Sequence, residues 1–326
     1  MGTIVKTTGT GIPPRSFADE FLTHPKCSEW WYSTTYLEDG GGNRFACQFT
    51  LAQVNIWGIK FRLLITSVTD VNRNKHYNTQ TPIFFGKGVT ATDTLLSVDG
   101  KCKAVFEPNA VCPKGRIHLE MDSDAFHIVC DMNAVKPPVR HCDGGVLQMG
   151  IPGEKERTYY MSMTNLATEA ELVLEGRRYP NLKGKTWFDR QGGTYTLTDG
   201  RTCWEWLSLR FFDDTETMIF AFPQDNYYDG TRIERDGSYT RLNDYTLEAT
   251  DVITWEGRQF SNGWRLTYGG RTYTVTPQAD GMFNVFFFEL LADIKDEAGN
   301  LVGYAVVELL PGVRNKTTPT DAFRKK

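Results

Sequence analysis

No stretch of this sequence reaches the roughly 18–20 consecutive apolar residues that a membrane-spanning helix needs. The densest apolar run, from Phe283 to Leu291, is interrupted by Asn284 and Glu289. No block of five like charges occurs, and 36 basic against 40 acidic residues leave a net charge of −4. A nucleic-acid binder needs a basic surface to neutralise phosphates, so that class is excluded, and no polybasic anchor for a membrane surface is present. The opening Met1-Gly2-Thr3-Ile4-Val5-Lys6 has no apolar signal core, and Lys6 breaks the myristoylation pattern. A cytoplasmic protein without stable membrane insertion is the expectation.

Metal and phosphate chemistry is equally poorly furnished. The seven cysteines are widely spaced with no Cys-x-x-Cys pair, which predicts reduced, mostly buried thiols. His127-x-x-Cys130 and His141-Cys142 match no zinc frame, so no metal site is expected. There is no Gly-x-Gly-x-x-Gly, no Walker A loop, no Gly-x-Ser-x-Gly elbow and no His-Glu-x-x-His. No cofactor is therefore expected, and an enzyme built from this chain works with its own side chains. The Asn315-Lys316-Thr317 sequon, without a signal peptide, is read as chance.

The chain has ample material for a core. Its 326 residues are 40% hydrophobic and include 20 Phe, 14 Tyr and 8 Trp. That length suggests two domains or one large β domain. Asp-Gly pairs at 39–40, 99–100, 143–144, 199–200, 229–230, 236–237 and 280–281 mark tight turns. Between them lie segments rich in β-branched and aromatic residues: 44–54, 61–68, 116–121, 126–132, 158–164, 203–212, 217–222, 246–255, 271–276, 283–295 and 301–310. Ile117, Leu119 and Met121 share one face of their segment, while Arg116, His118 and Glu120 share the other. No segment of twelve or more residues sustains a helical period. Phe17–Leu22 reads as a short helical turn capped by Ser16. The strand signal is thinnest, and charge densest, across 166–186. A crossing between halves is placed near 195–202, giving domains 1–198 and 199–326. Many short strands joined by turns predict an all-β barrel or sandwich and disfavour a parallel βαβ sheet.

Three stretches carry a resemblance: Glu29-Trp30-Trp31-Tyr32, Thr186-Trp187-Phe188-Asp189-Arg190-Gln191, and Trp204-Glu205-Trp206-Leu207-Ser208-Leu209. Their order and spacing resemble the carotenoid 1,2-hydratase/AttH-like superfamily, with its E-W-W-Y opening, its W-x-D-[HR] element and its W-[DE]-W-x-x-L strand. Gly303-Tyr304 through Glu308-Leu309 is similar to the family's last strand. Tyr159-Tyr160-Met161-Ser162 looks nearest to the kievitone hydratase branch. The resemblance covers about residues 25 to 312. It implies two lipocalin-like antiparallel β-barrels packed together, with little helix, and cofactor-free chemistry on a hydrophobic small molecule beside an apolar cavity. It also implies that Asp189 is the proton donor of a hydratase. Lipocalin-like Diels–Alderases belong to the same group. One departure stands out: Gly192 occupies the place where the family usually has a Trp, which either widens the cavity beside the donor or weakens the hydratase assignment in favour of an isomerase or cyclase.

The residues give that implication a physical form. Hydrating an alkene needs an acid close to carbon and support for a carbocation. Burial disfavours the charged form of a carboxyl group, so an acid in an apolar cavity keeps its proton. Aromatic faces stabilise a desolvated cation by roughly 1–2 kcal/mol each. Trp187 shares the strand face of Asp189, and Trp30, Trp31, Trp204 and Trp206 supply further aromatic wall. Tyr160 or Glu29 would orient the attacking water, and Arg190 completes the substrate-binding set. The plainer readings are an Asp189–Arg190 ion pair, tryptophans serving as core, and Glu29 and Glu205 as structural salt-bridge residues. Trp30 and Trp31 cannot both point inward on a regular strand. Glu289, set among Phe286, Phe287, Phe288 and Leu290, is expected to be buried and paired. Two rivals to the hydratase stay open: a cofactor-free isomerase or cyclase that works by holding a reactive conformer, and a non-catalytic carrier. Strand patterns do not encode the substrate or the oligomeric state.

Overall fold

A computed structural model describes residues 15–310, apart from 25–26, 57–58, 85, 150–155, 195–203, 224–225, 256–257 and 285–286. The 195–202 crossing, the Asn315 sequon and the N-terminal hexapeptide lie outside the described residues. The fold is all-β, with two curled antiparallel sheets of the lipocalin type. The one helical turn among the described residues, α1 (Phe17–Glu20), is capped by Ser16, whose hydroxyl accepts the Asp19 amide at 3.1 Å. No helix among the described residues is long and apolar enough to cross a membrane.

The chain divides into two compact units. One comprises Pro14–Arg140 and Tyr159–Gly193; the other takes His141–Thr158 and the chain from Thr194 onward. The strands run, in order, β1 (Ser28–Glu38), β2 (Arg44–Ile56), β3 (Ile59–Asp70), β4 (Lys75–Phe84), β5 (Val89–Ala91) and β6 (Leu95–Val98). They continue with β7 (Cys102–Glu107), β8 (Arg116–Asp122), β9 (Phe126–Ala134), β10 (Val139–Arg140), β11 (Val146–Gln148), β12 (Arg157–Leu174) and β13 (Arg177–Thr194). The first sheet has the order β4-β3-β2-β1-β13-β12-β9-β8-β7-β6-β5. One face of it carries a core that includes Trp31, Phe49, Leu51, Leu119, Leu172 and Phe188. Phe21, just past α1, enters that core and meets the rings of Phe106 and Phe188 at 5.5 and 6.2 Å.

The second sheet begins with β14 (Trp204–Phe211), β15 (Glu216–Phe222), β16 (Tyr227–Ile233), β17 (Tyr239–Arg241) and β18 (Thr246–Trp255). It is completed by β19 (Arg258–Tyr268), β20 (Arg271–Pro277), β21 (Met282–Phe283), β22 (Phe288–Lys295) and β23 (Leu301–Leu310). Its order is β17-β16-β15-β14-β23-β22-β20-β19-β18, with β21 on β22. Leu207, Leu209, Phe260, Trp264, Leu290 and Val307 are in its core.

Two local expectations are corrected. The 166–186 stretch is the middle of a hairpin of two 18-residue strands joined at Glu175-Gly176, both with positive φ (49° and 78°). Its exposed Glu169 and Glu171 alternate with buried Ala170, Leu172 and Leu174, so charge there marks one solvated face of a strand. Asp229-Gly230 is no turn but lies inside β16. A side chain at 230 would come within 2.5 Å of the Met218 carbonyl, so glycine is needed for close strand approach. Six cysteines (27, 47, 102, 112, 130, 142) are free thiols, and all but Cys27 are buried.

Candidate active site

The site is built where β1, β13 and β12 lie side by side. Tyr32 pairs with Asp189, Thr34 with Trp187 and Trp30 with Gln191, so these six residues share one face. Trp31 pairs with Arg190 and Ser33 with Phe188 on the other face, the one that carries the core. Trp30 and Trp31 thus point to opposite sides, as strand geometry requires.

On the non-core face Asp189 is 3% exposed. Its Oδ1 accepts the indole N–H of Trp187 at 2.6 Å and the hydroxyl of Ser162 in a short contact. Its Oδ2 lies 3.0 Å from the hydroxyl of Tyr160. Trp187 and Tyr160 are fully buried. An indole can only donate, so Oδ1 is fixed as an acceptor. Oδ2 accepts the Tyr160 hydroxyl in this arrangement, and because a phenol can also accept, that bond reverses when Oδ2 carries a proton.

The opposite face is ionic. Arg190 is fully buried, lies 4.0 Å over the Trp31 ring, and donates to Glu29 Oε2 at 2.6 Å and to the Leu22 carbonyl at 2.6 Å. His24 adds its amide to Glu29 Oε1 at 2.7 Å, and its ring Nδ1 lies 2.9 Å from Oε2. Burial works against the Glu29 charge, but the His24 hydrogen bonds and the Arg190 guanidinium outweigh it and hold the carboxyl below its ordinary range.

The structure therefore brings Asp189, Trp187 and Tyr160 together and sets Trp30 on their face. It places Glu29, Arg190 and Trp31 on the reverse. Glu29 is committed to Arg190 and does not reach Asp189 to orient a water there. The Arg190 partner is Glu29 because neighbours on a strand point apart. Gly192 pairs with Glu29, and a side chain at 192 would collide with the Glu29 Cβ. The missing indole is thus absent from the Glu29 side, and it opens no space beside Asp189.

Trp204, Trp206 and Glu205 belong to the other unit. The Trp204 indole donates to Glu308 at 2.9 Å, and Trp206 is buried. Glu205 accepts from Ser261 at 2.6 Å and from the Trp264 indole at 2.8 Å. Glu289 is buried and accepts from Asn284 at 2.8 Å. Ser162, Tyr32, Thr34 and Gln191 were missed as site residues. For Gln191 the signal was present, two places from Asp189 on one strand; for the others only cross-strand register reveals them.

Among the described residues no group of three or more His, Cys, Asp or Glu side chains is arranged to hold a metal ion. The family model described as AttH-like matches residues 10–309. The chain belongs to the AttH-like family. Among solved structures this AttH-like chain is similar to a candidate AttH protein from Nitrosomonas europaea, with 18% identity, a TM-score of 0.80, and coverage of 95% of this chain and 99% of that one. It is also similar to kievitone hydratase from Nectria haematococca, with 17% identity, a TM-score of 0.70, and coverage of 94% and 96%. No curated protein matches it by sequence. At these identities the likenesses establish the shared fold.

Proposed function

We propose that this AttH-like chain is a cofactor-independent hydratase that adds water to, or removes it from, a C=C bond of a hydrophobic small molecule of the isoprenoid or prenylated phenolic class. The observation that carries this reading is Asp189, a buried carboxyl whose two oxygens have different partners. With Oδ1 held by two donors, the proton would sit on Oδ2, the Tyr160 hydroxyl then turning from donor to acceptor. Oδ2–H would protonate one alkene carbon, forming a C–H bond and leaving a carbocation on the other. The faces of Trp30 and Tyr32 lie on the Asp189 side of the sheet and would support that charge. Water then adds to the cation, and its surplus proton returns to the Asp189 carboxylate, directly or through Tyr160. General acid catalysis of this kind is worth roughly 10²–10⁴-fold in rate. The likeness to kievitone hydratase supports the reading.

One feature of the site favours a second reading. Trp187 and Ser162 donate to Oδ1 and Tyr160 to Oδ2, and such donors stabilise an ionised carboxylate. An ionised Asp189 would remove an allylic proton and return it elsewhere, which is isomerisation without gain of water. Incubation with prenylated phenolics, carotenoid-like polyenes and polyene-enones in oxygen-18 water separates the two by mass spectrometry. Labelled product with the mass of added water supports the hydratase. Unlabelled isomeric product supports the isomerase and overturns hydration.

A further inference from the structure

The unit that does not contain Asp189 has a cavity of its own, at the hairpin end of the second barrel. Its volume is about 760 Å³, within the range that holds a small organic ligand. We propose that this cavity binds a planar aromatic molecule carrying a single negative charge.

The lining dictates that class. The rings of Phe211, Tyr268 and Tyr273 form a contiguous aromatic wall, with centroid spacings of 5.1 and 5.6 Å. Phe212, beside them, is 60% exposed, an apolar ring left at the rim. Planar rings stack on such surfaces. The Tyr268 hydroxyl is bonded to buried Thr217 at 2.9 Å, which fixes its ring.

The polar groups sort by how far they are committed. Asp296 accepts the amides of Ala298 and Asn300 and the side chain of Asn300; Asp213 accepts the amide and hydroxyl of Thr215; Glu297 accepts the Thr272 amide. Asp296 and Asp213 are spent on their own turns, and Glu297 on the neighbouring strand β20. Arg271, by contrast, neighbours the Tyr273 phenol and forms no ion pair with a carboxylate among the described residues. Arg232 also lines the cavity but is paired with Glu234 at 2.9 Å, which leaves Arg271 as the lining arginine suited to a carboxylate or sulfonate. The three acids around it repel any anion in proportion to its charge, so a ligand that pairs with Arg271 alone is favoured over a polyanion.

The test titrates the intact protein with 1-anilinonaphthalene-8-sulfonate and with neutral N-phenyl-1-naphthylamine, followed by fluorescence. Arg271→Ala is expected to weaken the sulfonate about tenfold, the worth of one charge-assisted hydrogen bond, and to leave the neutral probe unchanged. Phe212→Ala is expected to weaken both probes. Arg265→Ala removes the same charge from an exposed position that faces Glu248 at 3.5 Å, outside the cavity lining, and should change neither. Wild-type affinity for the sulfonate in both cavity variants, or equal losses for both probes in Arg271→Ala, would overturn the proposal.

Discussion

Each unit of the molecule buries a carboxylate against a tryptophan indole and a serine hydroxyl. In one, Asp189 accepts from Trp187 and Ser162; in the other, Glu205 accepts from Trp264 and Ser261. The bonding is alike and the placement is opposite. Glu205 alternates with Leu207, Leu209 and Phe211 and pairs across to Ala221 and Leu309, so it sits on the core face of its sheet. Asp189 sits on the face opposite the core of its own sheet, whose members include Phe188 and Trp31. A satisfied carboxylate inside the core is part of the packing; under the proposed function, the one on the opposite face is the group that meets substrate. Hydrogen-bond partners alone do not separate the two carboxylates, which are equally buried; the face of the strand does.

The sharpest break of this comparison is a pair of isosteric changes. Asp189→Asn should lower turnover by about 10³-fold or more with substrate binding retained. Glu205→Gln should leave turnover near wild type. Stability should divide the other way. Glu205→Gln sets an amide N–H against Ser261 or Trp264 and should cost about 1–3 kcal/mol in denaturant unfolding. If Glu205→Gln abolishes turnover at unchanged stability, the face argument fails.

A larger loss of stability is expected one residue from the proposed acid. Arg190→Met strands the buried Glu29 carboxylate without its cation, and breaking a buried pair in this way costs about 3–5 kcal/mol. Replacing both partners with apolar residues should recover much of that loss, because the stranded charge is then gone. An equal loss in the single and double variants would show that Arg190 acts through its packing on Trp31 and its bond to Leu22 instead.

Which parts of this arrangement can be read along the chain follows from strand geometry. Alternation is local, so the shared face of Trp187 and Asp189 and the opposed faces of Trp30 and Trp31 were legible. So were β18 and β23, whose predicted limits match the observed strands. Register is not local: it is fixed by which faces two distant strands bury together. Nothing near Asp189 in the chain announces Ser162 or Tyr32, and nothing near Glu29 announces Arg190, 161 residues away. The same limit explains Gly192 and Gly230. Each reads as a turn or a missing side chain, yet each is a place where another strand leaves no room for a Cβ. The charged 166–186 hairpin was obscure because its outward residues are charged where strands more often carry threonine or valine, although its inward residues keep the period of two.

The smallest expected effect separates the two units by pH. His141 lies in the Glu205 unit and is fully buried, and burial depresses its imidazole from 6.5 to about 3. The unfolded chain takes up a proton near 6.5 that the folded chain refuses until about 3. Stability from this group is thus complete above 6.5 and falls as pH drops through that window, by about 1.4 kcal/mol per pH unit. Glu29, in the Asp189 unit, is held below its ordinary 4.5, so its contribution is complete above 4.5 and is lost only at lower pH. Acidification between about pH 6 and pH 5 should therefore weaken the Glu205 unit first, read as faster amide exchange on β14 and β23 than on β1 and β13. His141→Gln should remove that slope and leave the Asp189 unit unchanged. An identical pH dependence in the variant would mean that the burial of His141 carries no protonation cost, and that the two units respond to acid alike.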